Sequence, residues 1–242
     1  MELDGKTALI TGSTRGIGAE TARLFAAEGA AVVVSGRDAE RGEAVVGEIR
    51  QAGGRARFIA ADLADLASLR GLAEAAGAVD VLVNNAGILP MAPTLDQDPE
   101  SFDAALAANV RAPFFLTAAL VPGMAARGAG SVVNVSTMAA SIAMPGLSVY
   151  SASKAALESL TRTWAAEFAG AGVRVNAVAP GPTLTEMAAQ MGDALDQVAS
   201  TTLLSRLAST AEIAAVVLFL ASDRSSYMTG ATLAADGGRT AA

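Results

Sequence analysis

Short apolar runs recur along the chain, separated by polar stretches with helical spacing. Lys6–Thr11, Val32–Val34, Arg57–Ala61, Val81–Val83, Ser131–Ser136, Val173–Ala179 and Ala231–Ala235 read as strands. Most are continuous Val, Ile, Leu and Ala runs rather than alternations of apolar and polar residues. Ala19–Glu28, Ala39–Gln51, Leu66–Ala76, Glu100–Arg127, Tyr150–Ala169 and Thr210–Ala221 carry helical spacing. Strands with no polar face are covered on both sides, and strands that alternate with helices build parallel sheets. The pattern predicts one doubly wound α/β domain over residues 1–242, with no linker and no second domain. Only Pro180 to about Ser205 shows no clear element, and a stretch of that length suits a lid, placed at 182–205.

Composition removes many chemistries. With no Cys and no His, disulfides, thiolate nucleophiles, Ser-His-Asp hydrolysis and most catalytic zinc sites are excluded. No tight carboxylate cluster appears, so no metal is expected. A net charge of −7 argues against nucleic acid as a partner, since nothing compensates phosphate charge. Hydrophobic residues make up 52% of the chain, enough for a sizeable core. No apolar stretch reads as a membrane span, and the acidic start lacks the features of a secretory signal, so a cytoplasmic protein without membrane contact is expected. Acid–base work then falls to Tyr, Lys, Asp or Glu.

The first strand meets Gly12-Ser13-Thr14-Arg15-Gly16-Ile17-Gly18. In a βαβ frame such a turn brings backbone close to a pyrophosphate and presents helix N–H groups to it; a plain glycine-rich turn is the alternative. The second strand ends Ser35-Gly36-Arg37, with no acid at its tip to hold a ribose 2′-hydroxyl. Arg37 with Arg15 would clamp a 2′-phosphate, unless both are ordinary surface arginines. NADP(H) is therefore expected over NAD(H). Asp62, with Leu63 beside it, is placed against the adenine, or Asp62 is the N-cap of the next helix.

Among only two tyrosines and two lysines, Tyr150 and Lys154 stand four apart, on one face of a helix. A phenol titrates near pH ~10, and acid–base work near neutrality asks for a drop of about three units, or about 4 kcal/mol. An ammonium about 4 Å away supplies about that much at an effective dielectric of about 20.

These residues, with Asn84-Asn85-Ala86-Gly87, Ser136, Pro180-Gly181-x-x-x-Thr185 and the ending Tyr227-Met-Thr-Gly230 and Asp236-Gly-Gly238, occur in an order that resembles the short-chain dehydrogenase/reductase family, single-domain branch. The resemblance covers essentially the whole chain. It implies a Rossmann fold with a seven-stranded sheet of order 3-2-1-4-5-6-7 and helices on both faces, assembled as a homotetramer or less often a homodimer. It also implies that Tyr150 is the general acid–base, that Lys154 lowers its pKa and holds the nicotinamide ribose, and that Ser136 binds the substrate oxygen. Asn109 would hold a water linking Lys154 to solvent. The residues themselves support that last role: in a helix the Asn109 carbonyl would pair with the N–H of residue 113, which is Pro and has none. Asn85, Ala86 and Gly87 would lie against the cofactor, Asn84 would brace the sheet, and Pro180, Gly181, Thr183 and Thr185 would cover the nicotinamide and phosphates.

Residues placed beside the site are apolar: Leu89, Met91, Met138, Ile142, Met144, Leu147, Pro182, Met187 and Met191. An uncharged, medium-sized ketone or secondary alcohol fits such a lining. The general pattern also resembles 3-oxoacyl-carrier-protein reductases, which hold an acidic carrier through basic residues. Ser131 and Ala171 stand at those places here, with Arg127 and Arg174 nearby, and the net charge of −7 opposes an acidic partner. The expected function is NADP(H)-dependent carbonyl reduction or alcohol oxidation. The alternatives are a 3-oxoacyl-carrier-protein or 3-oxoacyl-CoA reductase and, further off, a non-catalytic NADP(H)-binding regulator.

Overall fold

The computed structural model describes residues 1–186 and 194–241, without the side chains of 194 and 195. In chain order the elements are β1 (Thr7–Thr11), α1 (Gly16–Ala27), β2 (Ala31–Gly36), α2 (Ala39–Gln51), β3 (Arg55–Ala60), α3 (Leu66–Ala76) and β4 (Val81–Asn84). There follow α4 (Pro99–Leu106), α5 (Ala112–Ala126), β5 (Gly130–Val135), α6 (Ser148–Phe168), β6 (Val173–Pro180), β7 (Thr183–Leu184), α7 (Ala194–Ser200), β8 (Ala208–Ser209), α8 (Thr210–Ala221) and β9 (Thr232–Ala235). Seven strands pair in parallel in the order β3-β2-β1-β4-β5-β6-β9, the expected order with β9 as the seventh strand of the main sheet.

Strand side chains alternate between the two faces, and the core divides accordingly. Ile10, Val34, Val83, Val133 and Val135 pack with α1, α2 and α8 on one face. Leu9, Val33, Leu82, Val132 and Val175 pack with α3, α5 and α6 on the other. That second face also carries a buried polar ladder. Asn84 Nδ2 donates to Thr117 Oγ1 (3.3 Å) and to Asn134 Oδ1 (2.9 Å), and Asn134 Nδ2 donates to Thr161 Oγ1 (2.8 Å). Side chains of β4 and β5 are thereby tied to α5 and α6 in a layer where unpaired polar atoms are costly.

Two expectations are corrected. The long helix expected at Glu100–Arg127 is interrupted: Ala107–Arg111 forms a π-helical turn in which the Ala112 N–H reaches the Ala107 carbonyl. Pro113 causes it, because its ring crowds the carbonyl four residues back and offers no N–H to it. By length and composition the run Pro99–Ala126 would also pass for a membrane span, contrary to the sequence reading, but half of its most apolar window is buried inside the fold. The second correction concerns the stretch after Pro180: it holds β7, α7 and β8, with β7 and β8 paired in parallel. A two-residue strand carries too little periodicity to be seen in sequence.

Asn134→Ala would remove both central contacts of the ladder, leaving Asn84 Nδ2 only its longer bond to Thr117 and Thr161 Oγ1 only its bond to the Leu157 carbonyl, and loss of buried hydrogen bonds costs about 1–3 kcal/mol. Urea unfolding is expected to show a loss of stability of that size at unchanged m-value; a variant as stable as the parent contradicts the ladder.

Candidate active site

The glycine turn between β1 and α1 is built from the backbone outward. Gly12 (φ 63°) and Gly16 (φ 56°) occupy the left-handed region, which glycine enters without strain. A Cβ on Gly12 would lie 2.8 Å from Ala86 Cα, and one on Gly18 would collide with both the Gly12 carbonyl oxygen and Asn85 Nδ2. Thr11 fastens the neighbouring strand end: its Oγ1 donates to the Val83 carbonyl (3.3 Å) and accepts from the N–H groups of Asn85 and Ala86 (both 3.1 Å). The Asn85 amide donates to the Thr11 and Gly12 carbonyls. Asn85 therefore shapes the turn with its side chain rather than offering it to a ligand. Ser13 behaves alike: it is fully buried, its hydroxyl donates to the Ile10 carbonyl (2.6 Å) and accepts from the Ser35 N–H (3.0 Å).

These contacts stitch the turn to the tip of β2, where Thr14 lies against Gly36. Arg15 and Arg37 are both exposed at this edge, and among the described residues neither has a hydrogen-bond acceptor or an acidic partner. The N-terminus of α1 has no side-chain cap on Arg15, so its first N–H groups, including that of Ile17, stay available to an anion. Above Gly16 the nearest atom beyond its neighbours is Thr185 Cγ2, 3.7 Å from where a Cβ would stand. An uncapped helix end, an open glycine cradle under Thr185 and two unpartnered guanidiniums fit a phosphorylated dinucleotide.

Asp62 is exposed and takes its own turn, with Oδ1 accepting from the Ala64 N–H (3.0 Å). The N-cap of α3 is Asp65, which accepts from Ala67 and Ser68, so the capping alternative for Asp62 falls. Leu63 packs against the core with its side chain. On the other side of the crevice, Pro180 closes β6 and Gly181 lies against the Asp236 backbone, 2.5 Å from a Cβ at that position. Thr183 donates to the Gly181 carbonyl (2.9 Å), which fixes the start of the covering segment.

At the end of β5, three consecutive residues each contact α6. The Val135 carbonyl accepts from Lys154 Nζ (2.7 Å), the Ser136 hydroxyl donates to Glu158 Oε1 (2.6 Å), and the Thr137 hydroxyl lies beside the Tyr150 phenol, near enough to favour its ionised form. Ser136 thus does not face the crevice. Val132, Asn134 and Ser136 share the face under α6, where strand alternation sends them, and Ser136 is only 3% exposed. The hydroxyl beside the phenol is that of Thr137, which the sequence reading missed. The adjacent Ser136-Thr137 pair and the period of β5 were the available signal.

Gly87, Asn109 and Lys154 converge: a Cβ on Gly87 would lie 3.0 Å from Asn109 Oδ1 and 3.2 Å from Lys154 Nζ. Asn109 sits buried in the π-turn. Its amide donates to the Ile88 carbonyl (2.9 Å) and to Ser153 Oγ (3.0 Å), and its Oδ1 accepts from the Ile88 N–H (2.9 Å). Ser153 in turn donates to the Tyr150 carbonyl (2.7 Å). The Asn109 side chain is fully engaged in positioning.

Burial sets the electrostatics. It pushes the Lys154 amine down to about 8, and it pushes the Tyr150 phenol up, opposed by the Thr137 hydroxyl. The sequence arithmetic, in which the ammonium alone brings the phenol down, is thus outweighed by desolvation. At neutral pH the phenol keeps its proton and can give it to an oxygen acquiring charge.

Of the residues placed beside the substrate, Met138 and Leu147 are buried, Ile142, Met144 and Pro182 half-buried, and Leu89 and Met91 exposed. Met187 and Met191 lie outside the described residues. Ala92 is tied to this wall through its N–H to the Gly146 carbonyl (3.0 Å).

The profile of a family described as Enoyl-(Acyl carrier protein) reductase matches residues 12–240. A solved short chain dehydrogenase/reductase family protein is 57% identical, covers 100% of both chains and superposes with a TM-score of 0.95. Galactitol 2-dehydrogenase (L-tagatose-forming) of Cereibacter sphaeroides is 42% identical over 98% of this chain and 96% of its own. A gluconate 5-dehydrogenase from Burkholderia cenocepacia, solved with NADP and tartrate, is 36% identical over 100% of this chain and 97% of its own, with a TM-score of 0.94.

With only Lys6 and Lys154 present, 15N-lysine labelling gives two Nζ signals to follow through a pH titration. The buried amine is expected to lose its proton near pH 8, against about 10.4 for an ordinary lysine. Two ordinary midpoints would contradict the desolvated site.

Proposed function

The chain belongs to the short-chain dehydrogenase/reductase family, and on that footing we propose that it is a cytoplasmic NADP(H)-dependent oxidoreductase acting on a medium-sized, mostly apolar ketone or secondary alcohol. One observation carries the reading: Asn109 and Lys154 meet at Gly87, Thr137 lies beside Tyr150, and the adjoining Asn85 and Ala86 pack on the uncapped glycine turn.

When bound, the nicotinamide supplies or takes up the hydride at its C4. The residues of the chain do the rest. In reduction the carbonyl carbon accepts the hydride while the oxygen accepts the Tyr150 proton, and the Thr137 hydroxyl holds that oxygen against the phenol. Lys154 beside Gly87 and the Val135 carbonyl binds the ribose edge and supports recharging of the phenol, and Asn109 fixes the loop at Ile88 and the helix at Ser153. Oxidation runs the same steps backward. Thr14, Ile17, Ala86, Gly87, Pro180, Gly181, Thr183 and Thr185 would wall the bound dinucleotide, and Asp62 would reach its adenine.

Arg15 and Arg37 support NADP(H): two cations without acids match the dianionic 2′-phosphate. NAD(H) would find no carboxylate at the tip of β2, because Asp38 caps α2 through the Arg41 N–H and pairs with the Arg41 guanidinium. Against a carrier-protein substrate, Arg127 is spent on the Val79 carbonyl and Asp80, and Arg174 on backbone carbonyls around Ser222. A second copy of the chain, in the homotetramer of the family resemblance, fits the face where Leu106, Phe114 and Phe115 lie exposed between α4, α5 and α6.

Loss of NADPH absorbance with a panel of cyclic ketones tests the reading. Tyr150→Phe is expected to lower kcat at least ~100-fold, the range of general-acid loss, while NADPH fluorescence titration stays near the parent. Turnover retained in Tyr150→Phe sinks the mechanism, and a parent inactive on every ketone and alcohol sinks the function.

Arg37→Asp is expected to move the preference from NADPH to NADH by at least ~10-fold, given the strength of a charge-assisted phosphate contact. Preference for NADPH retained in that variant would place the 2′-phosphate elsewhere.

A further inference from the structure

Glu158 lies one helical turn beyond Lys154 and two beyond Tyr150 on α6, away from the reacting atoms. It is nevertheless bound to the strand residue that stands between the two contacts those side chains make. Ser136, between Val135 and Thr137, donates to it at 2.6 Å and is 3% exposed. Its own N–H continues the sheet to the Val178 carbonyl (2.8 Å), so the backbone at this point has a fixed origin in β6. One pleat earlier Asn134 makes the matching contact, to Thr161, three residues after Glu158 on the same helix. Strand and helix are therefore pinned at two successive levels, and the level at Glu158 is the one adjoining the site.

From this geometry we infer that Glu158 is a positioning residue, which through Ser136 holds the end of β5 at the distance from α6 that keeps Thr137 against the Tyr150 phenol and the Val135 carbonyl against Lys154. The inference rests on the oxidoreductase reading for its kinetic consequence and on the lacing alone for its structural one. A carboxylate suits the role because a charge-assisted O–H···O contact is short and strong, and it leaves the Ser136 hydroxyl no freedom to turn toward the crevice. A loosened strand end misplaces the oxygen-binding hydroxyl and the proton donor relative to each other, which raises the barrier without weakening ground-state binding.

The test combines Glu158→Ala, Glu158→Gln, Ser136→Ala and the double alanine variant, with folding verified by circular dichroism. Glu158→Ala and Ser136→Ala are each expected to lower kcat about tenfold, within the range that small misplacements cost, with KM and NADPH affinity within about twofold. Glu158→Gln, which keeps an acceptor oxygen, is expected to recover most of that loss, and the double variant to fall no further than either single one. The second readout needs no turnover: in the two alanine variants the Lys154 Nζ midpoint rises from about 8 toward the ordinary range as water reaches the freed amine, and in Glu158→Gln it stays. Additive losses, a glutamine variant as damaged as the alanine, or kcat and Nζ midpoint both unmoved would overturn the inference. If Glu158→Ala does not fold, Ser136→Ala and Glu158→Gln decide it by the same two readouts. A parent enzyme without activity overturns the functional reading and leaves the Nζ midpoint to decide the lacing.

Discussion

The spacing between the C-terminal end of β5 and helix α6 is the constraint on which the site depends. A parallel strand ends with its last carbonyl and its next side chains unpaired on the side where the crevice opens. Here all three consecutive groups are taken up by one helix: Val135 by Lys154, Ser136 by Glu158 and Thr137 by Tyr150. Because the contacts are consecutive on the strand and spread over two turns of the helix, small shifts of either element disturb all three together. Below them the Asn134–Thr161 contact extends the same lacing into the core, where the ladder from Thr117 through Asn84 makes it part of the packing of the sheet itself.

Desolvation then decides what that geometry can do. A lysine amine without a carboxylate partner, packed against a backbone carbonyl, has its charged form penalised, and its pKa falls. A phenol in the same environment has its charged form penalised too, and its pKa rises. Both groups lean toward neutrality, so the unliganded pair is an uncharged proton donor beside an amine that gives up its proton with little change in pH. In a chain without histidine the proposed acid–base role falls to this pairing, where an imidazole near neutrality would otherwise serve. It also accounts for the hydroxyl of Thr137: it is the contact that opposes burial at the phenol.

The two-faced parallel sheet and the positions of most helices were legible in the sequence, because continuous apolar strands and well-separated helices leave few alternatives, while the strand order followed from the family resemblance and not from the pattern. The Tyr150–Lys154 spacing was legible for the same reason, since helical periodicity places both on one face. Periodicity settles only half of the choice between the two adjacent hydroxyls after β5. Ser136 follows the strand alternation inward while Thr137, already past the last paired residue, escapes it. The short β7–β8 pairing and the π-turn were also beyond its reach, although Pro113 gave the reason for the second one in advance. The substrate wall was the least legible part, since apolar residues serve a pocket and a core equally well, and here Met138 and Leu147 are buried while Leu89 and Met91 stand exposed.

The π-turn connects the helical layer to the chemistry. In an unbroken α-helix the carbonyl of Asn109 would be used up internally, and its side chain would lie on whichever face the 3.6-residue period dictated. Widening one turn re-aims that side chain into the fold, where it clasps both backbone groups of Ile88 and reaches Ser153. Ile88 follows directly on Gly87, whose missing Cβ leaves room for Lys154. Pro113 thus does more than interrupt a helix: by forbidding the regular bond at one position, it allows the loop after β4, the turn and α6 to be held by a single buried amide.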